Sequence, residues 1–475
     1  MQKPYRIRLH ILSPVHIGCD DAYEPTGFVI NTGKKQLIQF DPWDFLTSLS
    51  SENRDIFTRI CSGDQLFPIL KFIKQRFKPD IKGREIDISH GLATHYEKAM
   101  AGNTQVSNRE VINQFTINRT VYNEVSQLPY ISGSSLKGAM RTAYLNMRAR
   151  MNKPDVEKSP KKAKLLEDRL AQGSFDTDPF RMVKISDLAP VADSIKTKVM
   201  YAVNARKDGS GARGPFQILE TITQGTFDGI LNITIPEKVS GIKTPITLDT
   251  LLRAVKDFYL KELERERIIL KDSGFQGINV YPPTRNSLFP LRLGRHSGAE
   301  AVTVEGYRCI KIMQGKGKPS RYMDQPTTVW LASETAWLQK SNSLSPFGWA
   351  AIQVEPLDAS QSFWPHIKLQ EKVVPSSLVS SNKIDLPPAP IKPPDLMPWP
   401  GATVRWNPGN KKLLASWQDN KAEVTIGDDR SVVAEGLHKK LFIKKEPVKA
   451  NVTVQPVGNG FAIVMVDFPQ PYGEK

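Results

Sequence analysis

Residues 129–141 read PYISGSSLKGAMR and are the most informative stretch of the chain. The residues before Gly133 are typical of the end of a strand, the glycine allows a tight turn, and a serine can cap a following helix. Serine hydroxyls and the free backbone N–H groups of a helix start form a ready anion site. We therefore expect a strand, a turn with Ser134 and Ser135, and then a helix.

This helix is predicted over residues 136–151, with two contrasting faces. The basic face carries Lys137, Arg141 and Arg148. The apolar face carries Leu136, Met140, Ala143 and Met147. Such a helix could lie along a nucleic-acid backbone, or it could be a surface helix with a solvated basic face, and the residues alone leave both interpretations open.

Outward from this helix, apolar and polar residues alternate as in half-buried strands. The predicted strands are 5–11, 27–31, 36–40, 182–188, 198–205, 216–223 and 229–235. A long amphipathic helix is predicted over 248–270. Residues 80–130 are predicted to form an irregular insertion, and the lysine-rich residues 153–170 a mobile helix or loop. The pattern predicts an α+β fold with two ferredoxin-like, RRM-like units.

Four segments follow from this pattern. The two ferredoxin-like domains are predicted at 1–175, with an insertion, and at 176–370, with a glycine-rich loop. Residues 371–401 are predicted to be a linker, because eight prolines occur between Pro375 and Pro400. The alternating residues 402–475 predict a small all-β module, similar to an OB or SH3 barrel.

Composition excludes several classes of protein. The 475 residues include only three cysteines, at 19, 61 and 309, which rules against a disulfide scaffold and a structural zinc site. The N-terminus lacks the apolar core of a signal peptide, and no apolar run is long enough to span a bilayer. We therefore expect a soluble cytoplasmic protein, without a metal or another cofactor.

The basic charge predicts a polyanionic partner. With 65 Lys+Arg against 49 Asp+Glu, the net charge is 65 − 49 = +16, which suits nucleic acid or an anionic membrane. Residues 131–170 hold ten basic and four acidic residues, 10 − 4 = +6, whereas residues 401–475 reach only 11 − 8 = +3. Because the excess lies around the quoted helix, the charge pattern favours a nucleic acid over an anionic membrane.

The quoted stretch resembles the signature of RAMP-superfamily CRISPR proteins. Four further segments resemble one branch of that superfamily, the head subunit of the type III-A (Csm) effector complex. They are SPVHIG at 13–18, DPFR at 178–181 with ISD at 185–187, LRLGRHSG at 291–298 and PFGW at 346–349. These landmarks follow in the expected order over residues 1–355, about three-quarters of the chain.

The resemblance implies two RAMP domains and a non-catalytic subunit that binds CRISPR RNA (crRNA). Such a subunit caps the ribonucleoprotein at the crRNA 3′ side and supports crRNA maturation and antiviral defence. Its implied partners are crRNA, neighbouring RAMP backbone subunits, target RNA and host nucleases. The residues expected to capture phosphate, or to let backbone approach it, are Ser134, Ser135, Lys137, Arg141, Arg148, Gly294, Arg295, His296 and Gly298.

Two alternative functions stay open. The chain could be a metal-independent endoribonuclease that cleaves CRISPR repeats, with His16 or His296 as the base. It could also be a RAMP subunit of another type III subtype. In the C-terminal module, which departs from the family pattern, Trp406, Trp417 and Phe461 accompany several lysines. These aromatic residues could stack on bases, although a small β core is slightly favoured.

Overall fold

A computed structural model describes residues 2–357 and 397–468 of the chain. The gaps within these ranges are 64, 82, 102–114, 192–193, 209, 211–215, 276–286, 315–316, 318, 339–343, 409–411, 427–431 and 458–459. The chain forms two compact units, Met1–Val373 and Val374–Lys475. Most of the predicted linker 371–401 lies outside the described residues.

The first unit mixes helices and strands. Its helices are α1 (Pro42–Ser48), α2 (Ser51–Cys61), α3 (Leu66–Arg76), α4 (His90–Ala101), α5 (Gly133–Asn152), α6 (Ala163–Ala171) and α7 (Leu248–Asp272). Its strands are β1 (Gln2–Ile11), β2 (Gly18–Tyr23), β3 (Phe28–Asn31), β4 (Gln36–Phe40), β5 (Gly83–Ile88), β6 (Ile117–Thr120), β7 (Val183–Ile185), β8 (Ala189–Pro190), β9 (Lys196–Arg206), β10 (Gln217–Gln224), β11 (Thr226–Thr234), β12 (Phe289–Arg292), β13 (Ile310–Ile312), β14 (Arg321–Met323), β15 (Thr328–Ser333), β16 (Ser345–Pro346) and β17 (Trp349–Pro356). No helix among the described residues is long and apolar enough to cross a bilayer.

The first sheet carries α5 and α7 on one face. Its strand order is β12-β17-β1-β11-β7, and β8 also pairs with β11. In chain order, β1, α5, β7, β11, α7 and β17 follow the β-α-β-β-α-β pattern of a ferredoxin-like unit. The alternation in β1 buries Ile7 and Leu9 completely, and both join the core that α5 and α7 cover. Helix α7 buries Leu251, Val255 and Phe258 on one side, as its apolar periodicity predicted.

The second sheet draws on segments from the whole unit. Its order is β2-β6-β10-β9-β5-β4-β3, with β15 paired to β9 and β16 to β15. A separate small core joins β3 and β4 to α1–α3, where Phe45 and Phe72 are buried. Helix α1 begins at a side-chain cap, because the Asp41 carboxylate accepts a hydrogen bond from the Trp43 N–H at 2.9 Å.

The predicted boundary at 175/176 does not coincide with a division of the structure. Strand β1 pairs with both β11 and β17, so segments from either side of residue 175 share one sheet. The cause is long-range antiparallel pairing, which local periodicity does not reveal. Residues 80–130 also differ from the irregular insertion that we expected, because they contain β5, α4 and β6. In the lysine-rich stretch 153–170, α6 begins at Ala163 and buries Leu170.

The second unit is a closed five-stranded barrel. Its strands are β18 (Met397–Asn407), β19 (Lys412–Trp417), β20 (Asn420–Thr425), β21 (Val448–Val457) and β22 (Gly460–Asp467). They close in the order β18-β19-β20-β22-β21. Inward side chains such as Val404, Leu413 and Val454 are fully buried, so side chains fill the barrel interior.

Candidate nucleic-acid interface

The start of α5 is held by a carboxylate from a distant segment. The Asp187 Oδ1 atom accepts a hydrogen bond from the Gly133 N–H at 2.8 Å, and Ser135 Oγ lies 2.7 Å from Ser132 Oγ. The Gly133 N–H is one of the free helix-start donors that we expected to bind a phosphate, and it is already bonded to Asp187. Ser134 is exposed, whereas Ser135 is half-buried. Of the two predicted serines, the one that faces solvent is Ser134.

The basic face of α5 is only partly open. Arg141 Nη2 lies 2.7 Å from Asp178 Oδ2 and 3.2 Å from Glu167 Oε2, and its guanidinium packs over the Phe180 ring. Arg148 Nε donates to the Leu170 carbonyl oxygen at 3.2 Å. These two arginines therefore hold the DPF motif and α6 against α5. Their contacts argue against a fully solvated basic face, which was one of the two interpretations of this helix.

Lys137 has no ion-pair partner among the described residues. Burial lowers its pKa; nearby Arg141 and Lys184 lower it further, while Asp178 opposes the shift. Lys184, on β7, is exposed. The sequence indicated Lys137 but not Lys184, because the segment after β7 reaches the start of α5 only through tertiary contacts, such as that of Gly133 with Asp187. Together these lysines leave positive charge beside the exposed Ser134.

The glycine-rich loop 293–298 packs closely against the segment 13–18. Gly294 has a φ of +84°, and a Cβ there would lie 2.5 Å from the His16 carbonyl oxygen. The same oxygen accepts a hydrogen bond from the Arg295 N–H at 2.8 Å. The glycine therefore allows close contact between two protein segments, and the RNA contact expected at Gly294 stays a prediction.

The side chains of Arg295 and His296 point to different environments. Arg295 is exposed. The His296 ring stacks on Trp330 with centroids 4.4 Å apart, and its Nε2 lies 3.1 Å from Gln217 Oε1. Burial, together with the charges of Arg295 and His16, lowers the pKa of His296 to about 3. Within this loop, Arg295 is thus the accessible cation and His296 a packed, neutral ring.

Gly298 closes the loop at a φ of +78°, and a Cβ there would lie 3.3 Å from the Arg292 guanidinium. Arg292 precedes the loop and forms a buried ion pair with Glu266 of α7, at 2.6 Å. Trp349 Nε1 donates to the same carboxylate at 2.6 Å, and Arg292 Nε donates to the Phe347 carbonyl oxygen at 2.8 Å. The PFGW motif therefore meets the glycine-rich loop through this ion pair.

A second buried ion pair anchors the far end of the loop. Glu300, which is 6% exposed, lies 2.6 Å from Arg265 Nη1, and Arg265 also pairs with Glu262. Burial alone would raise the pKa of Glu300, but Arg265 holds it below its usual range. Since both ends of loop 293–298 are tied to α7, the loop is rigidly presented. Sequence reasoning missed Glu262 and Glu266 of α7, and Glu300 after the loop, as supports of the loop.

His16 lies inside the protein. Its side chain is 1% exposed, and its Nδ1 lies 2.8 Å from the Glu220 carbonyl oxygen. Burial lowers its pKa, so the imidazole is neutral near pH 7. A base that acts on RNA must reach the ribose 2′-OH. The position of His16 favours a structural role over proton transfer.

Backbone contacts join the motif segments into one continuous strip, whose linking residues Ile17, Ile131 and Leu188 are buried. The Val121 N–H donates to the Ile17 carbonyl oxygen at 2.7 Å, which links segment 13–18 to the end of β6. Tyr122 then bridges to Pro129, and Ile131 to Leu188 next to the DPF…SD motif. The strip therefore runs from the glycine-rich loop to the start of α5.

In the barrel, the candidate aromatic residues are partly buried and pack against the core. Trp417 stacks on Trp399 with centroids 5.9 Å apart, and Phe461 packs edge-on against Trp399. Trp406 packs edge-on against Phe442, at 5.1 Å. These contacts favour the β-core interpretation over base stacking for Trp406, Trp417 and Phe461.

The fold and site together define an α+β protein in which separate motif segments build one strip that exposes Arg295, Lys184 and Ser134. The chain belongs to the RAMP superfamily, because the model of that family matches residues 8–328.

Two solved structures show similarity at 17% sequence identity. One is a chain of a Csm-crRNA-target RNA ternary complex in a type III-A CRISPR-Cas system, with a TM-score of 0.47 over 74% of this chain and 100% of that one. The other is Csm5 of T. onnurineus, with a TM-score of 0.45 over 72% of this chain and 99% of that one. No curated protein sequence matches the chain.

Proposed function

We propose that the chain is a non-catalytic, crRNA-binding subunit of a type III-A CRISPR effector. In this role it caps the complex at the crRNA 3′ side, contacts neighbouring RAMP backbone subunits and supports crRNA maturation and antiviral defence. Target RNA and host nucleases are further proposed partners. We also propose that the two large sheets derive from two ferredoxin-like RAMP units that are interleaved along the sequence.

The observation that carries this proposal is the strip built by the motif segments. It presents Arg295 on a loop tied to α7 at both ends, and Lys137 and Lys184 beside the start of α5. Fixed cations and an exposed serine hydroxyl at a strand-to-helix turn suit phosphate contacts along an RNA backbone. Because such contacts read charge and shape, the expected binding depends on salt more than on sequence.

The geometry of this site suits RNA binding better than RNA cleavage. His16 is buried, and His296 is packed on Trp330 with a pKa of about 3. Neither histidine combines access to RNA with a pKa near neutrality, which a general base or acid requires. Purified protein incubated with labelled repeat RNA and EDTA should leave the RNA intact. Site-specific cleavage that is lost in a His16→Ala or His296→Ala variant would support the ribonuclease instead.

The binding test removes cations that do not hold the fold. Lys137→Gln with Arg295→Gln spares the ion pairs of Arg141, whose loss would disturb packing. For single-stranded RNA, we expect the slope of log K against log salt to fall by about 1.4, from two lost phosphate contacts. The matched control is Lys34→Gln with Lys35→Gln, which removes the same charge from the exposed β3–β4 turn.

Fluorescence anisotropy with labelled crRNA over a salt series measures this slope. An equal slope for the double variant and the wild type would contradict the proposed interface. To test the 3′ assignment, photo-crosslinking nucleotides are placed near either crRNA end in the assembled complex. We expect the chain to be labelled from the 3′ side, and labelling from the 5′ side alone would contradict that role.

A further inference from the structure

The barrel carries a basic turn that the proposed interface does not use. Residues 439–445 read KKLFIKK, so four of seven residues are lysine. The segment Lys439–Ile443 forms a π-helical turn between β20 and β21. All four lysines are exposed.

The turn is fixed to the barrel by its apolar residues. Leu441 is fully buried, and Phe442 is 8% exposed and packs edge-on against Trp406. The following backbone is held as well, since the Glu446 N–H donates to the Lys440 carbonyl oxygen at 3.0 Å. The lysine stems therefore project from a rigid base rather than from a loose loop.

The hydrogen-bond spacing of the turn brings Lys439 and Lys444 together. The Lys444 N–H donates to the Lys439 carbonyl oxygen at 3.0 Å, which is the i→i+5 bond of a π-helix. Because this bond closes one turn, the backbone of Lys444 returns to that of Lys439. Lys445 follows with a left-handed φ of 57°, which ends the turn. In an α-helix with 3.6 residues per turn, residues five apart would point in different directions.

None of these four lysines forms an ion pair among the residues that the structure describes. Glu446 is the single acidic residue between positions 438 and 449. Four like charges on one turn repel each other, and a polyanion that neutralises them relieves this repulsion. Ile443 is 72% exposed between the two pairs, so an apolar surface lies beside the charges.

We propose that the lysine turn 439–445 is a second RNA-binding site, which contacts phosphates of single-stranded RNA and places Ile443 against a base. This inference rests on the proposed function, since it adds a second contact for the RNA that the first unit is proposed to bind. Anchoring at a lipid surface usually needs a broad apolar face with several large side chains, whereas this turn exposes one isoleucine. The pattern of charge therefore favours RNA over an anionic membrane.

The test uses the full chain and the variant Lys444→Gln with Lys445→Gln. Lys34→Gln with Lys35→Gln is a closely matched control, because each pair is an exposed Lys-Lys turn whose second lysine has a positive φ, 57° in Lys445 and 55° in Lys35. Thermal unfolding first establishes that both variants fold. Affinity for single-stranded RNA long enough to reach both units is then measured over a salt series.

We expect the variant at 444–445 to lower the slope of log K against log salt by about 1.4, and the control to leave it unchanged. If the wild type binds RNA and both variants match it, the inference fails while the proposed function stands. If the wild type does not bind RNA, the proposed function fails. Retention of the wild type, but not of the 444–445 variant, on phosphatidylserine vesicles together with unchanged RNA binding would assign the turn to membranes and overturn the inference.

Discussion

Gly294→Ala tests whether the glycine-rich loop depends on close contact with segment 13–18. The chain offers a matched control in Gly306→Ala, because both glycines have a φ of +84°. A Cβ at Gly306 would meet no atom within 4 Å, whereas one at Gly294 would lie 2.5 Å from the His16 carbonyl oxygen. The two variants therefore share the backbone strain and differ in the steric overlap.

The structure gives the size of the difference. Alanine in the left-handed region costs about 1–2 kcal/mol at either position. At Gly294 the loop must also move away from His16, which breaks the 2.8 Å hydrogen bond from the Arg295 N–H and costs about 1 kcal/mol. Overlap with backbone in a packed region costs about 1–3 kcal/mol more. We expect Gly294→Ala to destabilise the first unit by about 2–4 kcal/mol more than Gly306→Ala.

Urea denaturation gives the free energy of unfolding, and amide hydrogen exchange of peptides covering 289–298 assigns the loss to this loop. The same variants should separate in RNA affinity, since only Gly294→Ala displaces Arg295. Equal free energies of unfolding for the two variants would refute the reasoning, because they would show that the loop does not need its close approach to His16.

Two further predictions concern buried groups beside this loop. Glu266→Gln leaves Arg292 buried without a charge partner and should lower the free energy of unfolding in urea by about 3–5 kcal/mol. Glu264→Gln, in an exposed ion pair on the same helix, should lower it by about 0–1 kcal/mol. Equal losses of stability in the two variants would contradict the buried ion pair. Burial lowers the pKa of His296 to about 3, so below pH 6.5 the unfolded chain binds more protons than the folded one. The stability that neutral His296 contributes is therefore fully present above pH 6.5 and is lost as the pH falls toward 3. Between pH 7 and pH 5 this loss should reach about 2 kcal/mol in the wild type and should be absent in His296→Asn. The same pH dependence in the variant and the wild type would contradict this role of His296.

Local periodicity was sufficient for most elements but not for their arrangement. Strand β1 and helices α5 and α7 were predictable, because the apolar residues of each recur with the period of a single secondary-structure type. The shared sheet was not, since β1 pairs with Phe227 and Ile352, which lie more than 200 residues away. Pairing partners at that separation leave no local signal, so the sequence did not show that segments from both sides of residue 175 share one sheet.

The candidate site was predictable as a set of segments, but the roles of its side chains depended on tertiary contacts. The order of the motifs identified loop 293–298 and the start of α5, and Arg295 and Lys137 stay accessible there. Arg141 has the same helix spacing as Lys137 but pairs with Asp178, 37 residues further along the chain. Spacing on a helix shows which side chains share a face, but it does not show which of them another segment covers.

The charged residues of α7 show why the support of the loop escaped prediction. In the sequence, Glu262 and Glu266 resemble the solvated face of an amphipathic helix, yet they are 3% and 8% exposed. Their burial is tolerable because Arg308 and Arg292 arrive from the segments that flank the glycine-rich loop. Arg292 belongs to the LRLGRHSG motif, so one motif cation supports the loop while its neighbour Arg295 faces solvent. If this division of roles is correct, Arg292→Lys should reduce stability and RNA affinity together, whereas Arg295→Lys should preserve both.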